Sequence, residues 1–221
     1  MPSSVYTRLA KPALDRILAG AGLVVLSPVL VGVALVVRRR LGRPVVFRQV
    51  RPGLGGRPFE MLKFRTMTDA RTPDGSLQPD GERLTPIGRF LRRTSLDELP
   101  GLVNVLRGEM SLVGPRPLLT RYLPYFTERE QARFHVLPGI TGWAQVHGRN
   151  AVGWDARLAC DVWYVENRSA ALDARILWRT AVAVFRSEGV VEDPGAAMLD
   201  LDAERAGSAE PAGSPSWDVN R

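Results

Sequence analysis

From Ile17 to Val37 the chain runs for 21 residues without a charge, the length a helix needs to cross ~30 Å of hydrocarbon. A cleaved signal peptide fits poorly, because the run is too long, ends in Arg38-Arg39-Arg40 and lacks a clear small-residue cleavage site. A buried core helix is the other competing reading. Arg8, Lys11 and Arg16 precede the run, and Arg38, Arg39, Arg40 and Arg43 follow it. Basic flanks favour the cytoplasmic side, so both ends claim the same face of a membrane. Ser27-Pro28 lies at the middle. There the proline removes a backbone donor, and the serine hydroxyl can satisfy the carbonyl set free. The pattern predicts a helix that enters, breaks at Ser27 and Pro28, and returns, each arm reaching ~15 Å at 1.5 Å per residue. A kinked helix that simply spans is the alternative.

Beyond the arginines the apolar stretches shorten. Pro44–Val50 and the alternating Phe59–Met67 flank the turn Pro52-Gly53-Leu54-Gly55-Gly56, which reads as a β-hairpin. Thr68 to Glu82 is polar and rich in Gly, Pro and Asp, a surface loop. Short helices broken near Pro86 and Pro100 are expected over Leu84–Leu106. Leu118 to Phe134 is amphipathic, with aromatic residues among arginines; it fits either a membrane surface or an ordinary helix packed on the core. Leu172–Ser187 reads as a last apolar helix, and the chain beyond Pro194, made largely of Ala, Gly, Ser, Pro and acids, as disordered. The pattern therefore predicts an α+β protein: a mostly helical small domain with a short β-hairpin and an N-terminal broken membrane helix. Its segments are residues 1–43, inserted in the membrane; 44–191, a domain on the cytoplasmic face; and 192–221, a disordered acidic tail.

Composition sharpens this picture in two ways. The net charge is +7, but from Glu192 onward seven acids face only Arg205 and Arg221, so the tail carries −5 and residues 1–191 carry +12. A body this basic points to phosphates, nucleic acid or anionic lipid. The single cysteine, Cys160, excludes an internal disulfide and a cysteine-cluster zinc site. His135 and His147 lack metal-ligand spacing, and Gly53-x-Gly55-Gly56 is not a dinucleotide fingerprint.

The sharpest local string is Arg92-Arg93-Thr94-Ser95-Leu96-Asp97-Glu98-Leu99-Pro100. Ser95-x-x-Glu98 has the form of a capping box. Pro100 argues against the simple version, because a helix begun at Ser95 would need its missing amide to bond Leu96. The two acids are then held at the mouth of a helix that starts nearer Pro100. Such a pair is chemically coherent for phosphoryl transfer. One carboxylate can attack phosphorus, the other can help hold Mg²⁺, and neighbouring arginines keep both ionised. Three further strings add cations. Lys63 and Arg65 alternate onto one face of a strand and can converge on a diphosphate. Arg116 sits between Pro115 and Pro117, with a backbone pre-set for binding an anion. Pro138-Gly139-Ile140-Thr141-Gly142 leads to Gly148-Arg149-Asn150, a glycine-punctuated loop with another arginine. Each of these strings also reads, by itself, as a turn or a solvated cation.

Residues from about Lys11 to Gly189 resemble the bacterial sugar transferase family, the monotopic phosphoglycosyl transferases acting on polyprenyl phosphate. The matching strings are Lys11-x-x-x-Asp15, Ser27-Pro28, Lys63-Phe64-Arg65-Thr66-Met67, Ser95 to Pro100, Ser111-Leu112-Val113-Gly114-Pro115-Arg116-Pro117, Pro138 to Gly142 and Gly148-Arg149-Asn150. The resemblance implies that the broken helix is re-entrant and that Asp97 attacks the sugar-bearing phosphate of a UDP-sugar, expelling UMP. It implies that Glu98 helps bind Mg²⁺ with Asp97, and that polyprenyl phosphate then takes the phosphosugar, starting a cell-envelope glycan. Lys63, Arg92, Arg116 and Arg149 match positions used near the diphosphate or nucleotide, and Asp161 falls where the family places a further functional acid. The same resemblance implies a catalytic domain at the cytoplasmic face of a bacterial inner membrane. It is to the small form of the family, because this chain starts at the broken helix; the acidic tail has no counterpart in it.

Other readings make distinct demands. A membrane-tethered nucleic-acid-binding protein calls for clustered Lys/Arg on one element, whereas these arginines are dispersed among glycine-proline loops. A catalytically dead scaffold is at odds with an intact Asp97-Glu98. A one-step transfer, in which Asp97 only orients Mg²⁺ or acts as a base, stays open.

Overall fold

The computed structural model describes residues 5–147, 153–186 and 200–206. The long apolar run forms two helices, α1 (Lys11–Val25) and α2 (Ser27–Leu41), joined at Leu26 and bent by 65°. The bend has a local cause. Pro28 cannot donate to the carbonyl of Val24, and the Ser27 hydroxyl donates to that oxygen instead, at 2.8 Å. Among the described residues no single helix is long and apolar enough to cross a membrane; the bent pair passes that test only when taken together.

Both arms bury one flank and expose the other. Ala19 packs with Leu102, Val105 and Met61, and Val37 with Phe64 and Leu91. The outward flank carries Ile17, Leu18, Val24, Val25, Val29, Val31 and Leu35, all exposed. The expected hairpin is present as antiparallel β1 (Val46–Pro52) and β2 (Pro58–Phe64), with Phe47 opposite Lys63 and Arg51 opposite Phe59. The breaks at the two prolines are also present. After α3 (Asp80–Arg83), helix α4 (Pro86–Arg93) begins at Pro86, where the Thr85 hydroxyl caps it by accepting from the Gly88 amide. Helix α5 (Gly101–Arg107) begins directly after Pro100. Asn104 of α5 is wholly buried. Its amide accepts from the Leu62 N–H at 3.0 Å and donates to the Glu60 carbonyl at 2.7 Å, locking α5 against the free edge of β2.

Two three-residue strands escape the sequence pattern. β3 (Ser111–Val113) and β4 (Gly139–Thr141) pair in parallel, Ser111 with Gly139 and Val113 with Thr141. This pairing explains the glycines of that string. A Cβ on Gly139 would lie 2.1 Å from the Gly114 nitrogen, and one on Gly142 would lie 2.2 Å from the Gly114 oxygen. They serve a close backbone approach.

The segment from Leu118 to Phe134 departs from a single amphipathic helix. Pro124 interrupts it, and it breaks into 3-10 turns around α6 (Glu128–Gln131). Tyr122 and Phe126, which a membrane-facing helix would expose, are 2% and 1% exposed. They pack with Phe134 and with Trp154 and Leu158 of α8 (Trp154–Asn167), which follows α7 (Trp143–Val146). The expected last apolar helix is α9 (Ala170–Phe185).

The tail also differs from expectation over the part described. Residues Leu201–Ala206 form α10, and Leu201 is wholly buried in the aromatic cluster. Arg205 clips it down, donating to the Tyr125 carbonyl at 2.6 Å and pairing with Glu130 at 2.7 Å. Local composition read this stretch as too polar to order; one leucine and one arginine, each meeting partners some 75 residues upstream, order it.

A polar network fastens α1 to the body. Lys11 lies 2.7 Å from Asp173 of α9 and 3.5 Å from Asp15. Tyr6 and Tyr164 both donate to Asp173, at 2.6 and 2.7 Å, and Ser111 donates to Asp15 at 2.6 Å. The Lys11-x-x-x-Asp15 spacing puts both residues on one face of α1, which is how one helix turn reaches α9 and β3 together.

Candidate active site

Asp97 and Glu98 sit on a single 3-10 turn, Leu96–Glu98, between α4 and α5. Ser95 before them takes the left-handed conformation, φ 56°, and makes no side-chain cap. The capping-box reading of Ser95 and Glu98 is thus replaced. A non-glycine residue in that region costs on the order of 1–3 kcal/mol. The turn it makes points the two acids into the body instead of continuing α4.

The neighbouring carboxylates are tuned in opposite directions. Glu98 accepts from Lys63 at 2.9 Å and from Arg116 at 2.6 Å, both on Oε1. Burial pushes its carboxyl up, but Arg116 and Lys63 outweigh that and hold it at about 2. Asp97 is buried and has no hydrogen-bond partner for its carboxylate among the described residues. Burial, then the charge of Glu98, push its carboxyl up to about 6, against the pull of Lys63, Arg116 and Arg92. One acid is pinned as an anion by two cations. The other is left unbonded and therefore available to react.

Lys63, Glu98 and Arg116 line an open groove with Met61, Leu62, Gly101, Met110, Pro117, Gly139 and Ile140. A groove with two cations beside the Glu98 carboxylate, next in the chain to Asp97, suits a phosphoryl group. Arg92 is close enough to act on Asp97, and its Nε donates to the Thr66 hydroxyl at 3.2 Å.

Two expected site residues stand elsewhere. Arg65 does not converge with Lys63. It is 8% exposed, and its guanidinium donates to the carbonyls of Met67, Leu41 and Arg43 and pairs with Asp69. The carbonyl of Leu41 at the end of α2, and that of Arg43 just beyond it, capture it. Asp161 is 4% exposed, pairs at 2.8 Å with Arg133, itself 3% exposed, and is not among the residues that line the groove. The same Arg133 nitrogen donates to the Arg116 carbonyl at 2.7 Å, and its guanidinium stacks on Phe126 and Phe134. Asp161 therefore fixes the arginine that holds the Pro115-Arg116-Pro117 loop. Arg133 was invisible to sequence reasoning, since it reads as one surface arginine among many. Arg149 lies outside the described residues.

The metal question turns on the donor set. Among the described residues no three His, Cys, Asp or Glu side chains gather around a point. Mg²⁺ needs only one or two carboxylates when substrate phosphates and water complete its shell. The unbonded carboxylate of Asp97 and the second oxygen of Glu98 fit that requirement.

Sequence comparison bears on the same residues. A model of the bacterial sugar transferase family matches residues 6–187. An uncharacterized sugar transferase, EpsL, of Bacillus subtilis is 57% identical over 155 residues, 70% of this chain and 77% of that one. The UDP-glucose:undecaprenyl-phosphate glucose-1-phosphate transferase of Caulobacter vibrioides is 40% identical over 83% of this chain and 73% of its own length. The Escherichia coli protein of the same name is also 40% identical, but this chain spans only 42% of it. With the match running from the N-terminal helices through the acid pair to α9, the chain belongs to the bacterial sugar transferase family.

Proposed function

We propose that this protein is a membrane-bound phosphoglycosyl transferase that moves a sugar phosphate from a UDP-sugar to polyprenyl phosphate. The observation that carries the reading is the adjacent acid pair, with Glu98 held by Lys63 and Arg116 in a cationic groove and the buried Asp97 carboxylate left without a hydrogen bond among the described residues. The relatives named as UDP-glucose:undecaprenyl-phosphate and undecaprenyl-phosphate galactose transferases support the donor and acceptor classes.

In this reading Asp97, once ionised, attacks the phosphorus that bears the sugar. A bond forms between its carboxylate oxygen and phosphorus, and the bond to UMP breaks with its electron pair leaving on UMP. The phosphate oxygen of the lipid then attacks the same phosphorus and releases Asp97 as a carboxylate. Lys63 and Arg116 orient the transferred phosphoryl group and stabilise its charge in the transition state. Glu98 keeps those two cations in place. Asp97 and Glu98 would hold Mg²⁺, which when bound supplies positive charge to the phosphate oxygens.

The N-terminal helices give this chemistry a place. Their exposed apolar flank and basic ends fit a re-entrant anchor with both ends on the cytoplasmic face of a bacterial inner membrane, where a lipid phosphate meets the groove. Single cysteines introduced at Arg8 and at Arg43 are expected to react from the cytoplasmic side alone in oriented vesicles. Labelling of the two from opposite sides would replace the re-entrant helix by a spanning one.

The reaction itself is tested by intact-protein mass. Purified full-length protein in detergent is incubated with Mg²⁺ and a panel that includes UDP-glucose and UDP-galactose, with no lipid present. A mass increase of one hexose phosphate is expected, and its donor names the sugar. Turnover only after polyprenyl phosphate is added, with no adduct trapped by rapid quenching, would replace the covalent step by direct transfer.

A further inference from the structure

Four cations follow one another outward from the acid pair. Lys63 and Arg116 act on each other, Arg116 on Arg51, and Arg51 on Arg121. Three of them meet carboxylates: Lys63 and Arg116 meet Glu98, and Arg121 meets Asp200 and Asp202. Among the described residues Arg51 does not. Its side chain donates to the neutral amide oxygen of Gln49, at 2.6 Å, and its Nε is fully enclosed without a partner among them. Burial and the two neighbouring arginines pull its pKa down to about 10.

A half-buried guanidinium beside like charges is costly unless an anion completes the arrangement. Its place is set by the fold. Arg51 is the penultimate residue of β1, and the neighbouring Val50 carbonyl accepts from Thr120, just after the Pro115-Arg116-Pro117 loop. Arg116 bonds Glu98 and acts on Arg51. A guanidinium presents its donors as a planar fork suited to phosphate oxygens.

We propose that Arg51, with Arg116, forms a second phosphate-binding position beside the groove, one that takes the phosphate ester not held by Lys63. The inference rests on the function proposed above. Two sources have this chemistry, the nucleotide phosphate of the donor and the phosphate of the lipid acceptor.

The test compares Arg51→Gln with the wild type as full-length protein in detergent, reading UMP affinity by calorimetry and the KM for undecaprenyl phosphate. Arg48→Gln, which removes an exposed pair with Glu60 on the same strand, serves as the control and is expected to match the wild type. Losing one charged hydrogen bond predicts about tenfold weaker binding of one ligand in Arg51→Gln, with partial recovery in Arg51→Lys. A loss confined to UMP assigns the position to the nucleotide, and a loss confined to the lipid assigns it to the acceptor. Unchanged affinity for both overturns the inference and leaves the proposed function standing. A loss of both without recovery in Arg51→Lys also overturns it, as structural damage. A wild type that binds neither ligand overturns both.

Discussion

Asp97→Asn is expected to abolish the phosphosugar adduct and to lower turnover by at least about 10³-fold, while making the metal-free protein more stable at neutral pH. The amide cannot attack phosphorus, so the loss is of the nucleophile itself. The stability gain follows from the raised carboxyl. Asp97 titrates near 6 in the folded chain, against 3.8 as the ordinary value. Its contribution is fully present below about pH 4, where the acid is protonated in both states, and is lost as pH rises through 6. The loss amounts to about 3 kcal/mol at 1.36 kcal/mol per unit. Urea unfolding in EDTA at pH 4 and pH 8 reads it directly. The variant and the wild type should lie close together at pH 4, with the variant ahead at pH 8. A variant that gains nothing at pH 8 would mean that Asp97 is not held in the costly environment described here. Retention of the adduct would remove it as the nucleophile.

Asp161→Ala should be the most damaging change away from the acid pair. It leaves the Arg133 charge 97% buried with no paired carboxylate among the described residues, in a site where its Nε and second terminal nitrogen already lack partners among them. Breaking such a pair costs about 3–5 kcal/mol, a large share of the 5–15 kcal/mol that holds a typical domain together. The double variant Asp161→Leu with Arg133→Met, which removes both charges, should recover much of that stability. Calorimetric melting of the three proteins measures the coupling. Equal damage in the single and double variants would show that packing around Phe126 and Phe134, and not the unpaired charge, is what fails. Because Arg133 also holds the Arg116 carbonyl, whatever Asp161→Ala protein remains folded should show a raised KM for the donor.

These two predictions rest on residues that differ in how they could be found. Asp97 and Glu98 stand in a string whose oddity is local: two acids after two arginines, with a proline where a helix would need an amide. Arg133 has no such mark. The resemblance singles out its partner Asp161 as a further functional acid, and an acid in a matching motif carries no sign of whether it faces a groove or a core. Arg65 was misplaced for a related reason. Strand alternation places Lys63 and Arg65 on one face, but β2 ends at Phe64, and the carbonyls of Leu41 and Arg43 then draw Arg65 away.

What the amino-acid order determined alone was whatever depends on near neighbours. The uncharged run and its Ser-Pro break, the hairpin around its glycine turn, the helix starts at Pro86 and after Pro100 and the adjacency of the two acids all arise within a few residues, where sterics and hydrogen bonding act directly. What the tertiary structure decided was what each acid does. Glu98 is pinned by Lys63 and Arg116, 35 and 18 residues away, and Asp97 is raised because burial leaves it without a donor. The parallel pairing of β3 with β4, too short to show a period, brings the arginine loop to the groove, and α10 is ordered by Glu130, 75 residues upstream of Arg205. Charge tuning depends on distance in space and on loss of water, and neither is carried by position along the chain.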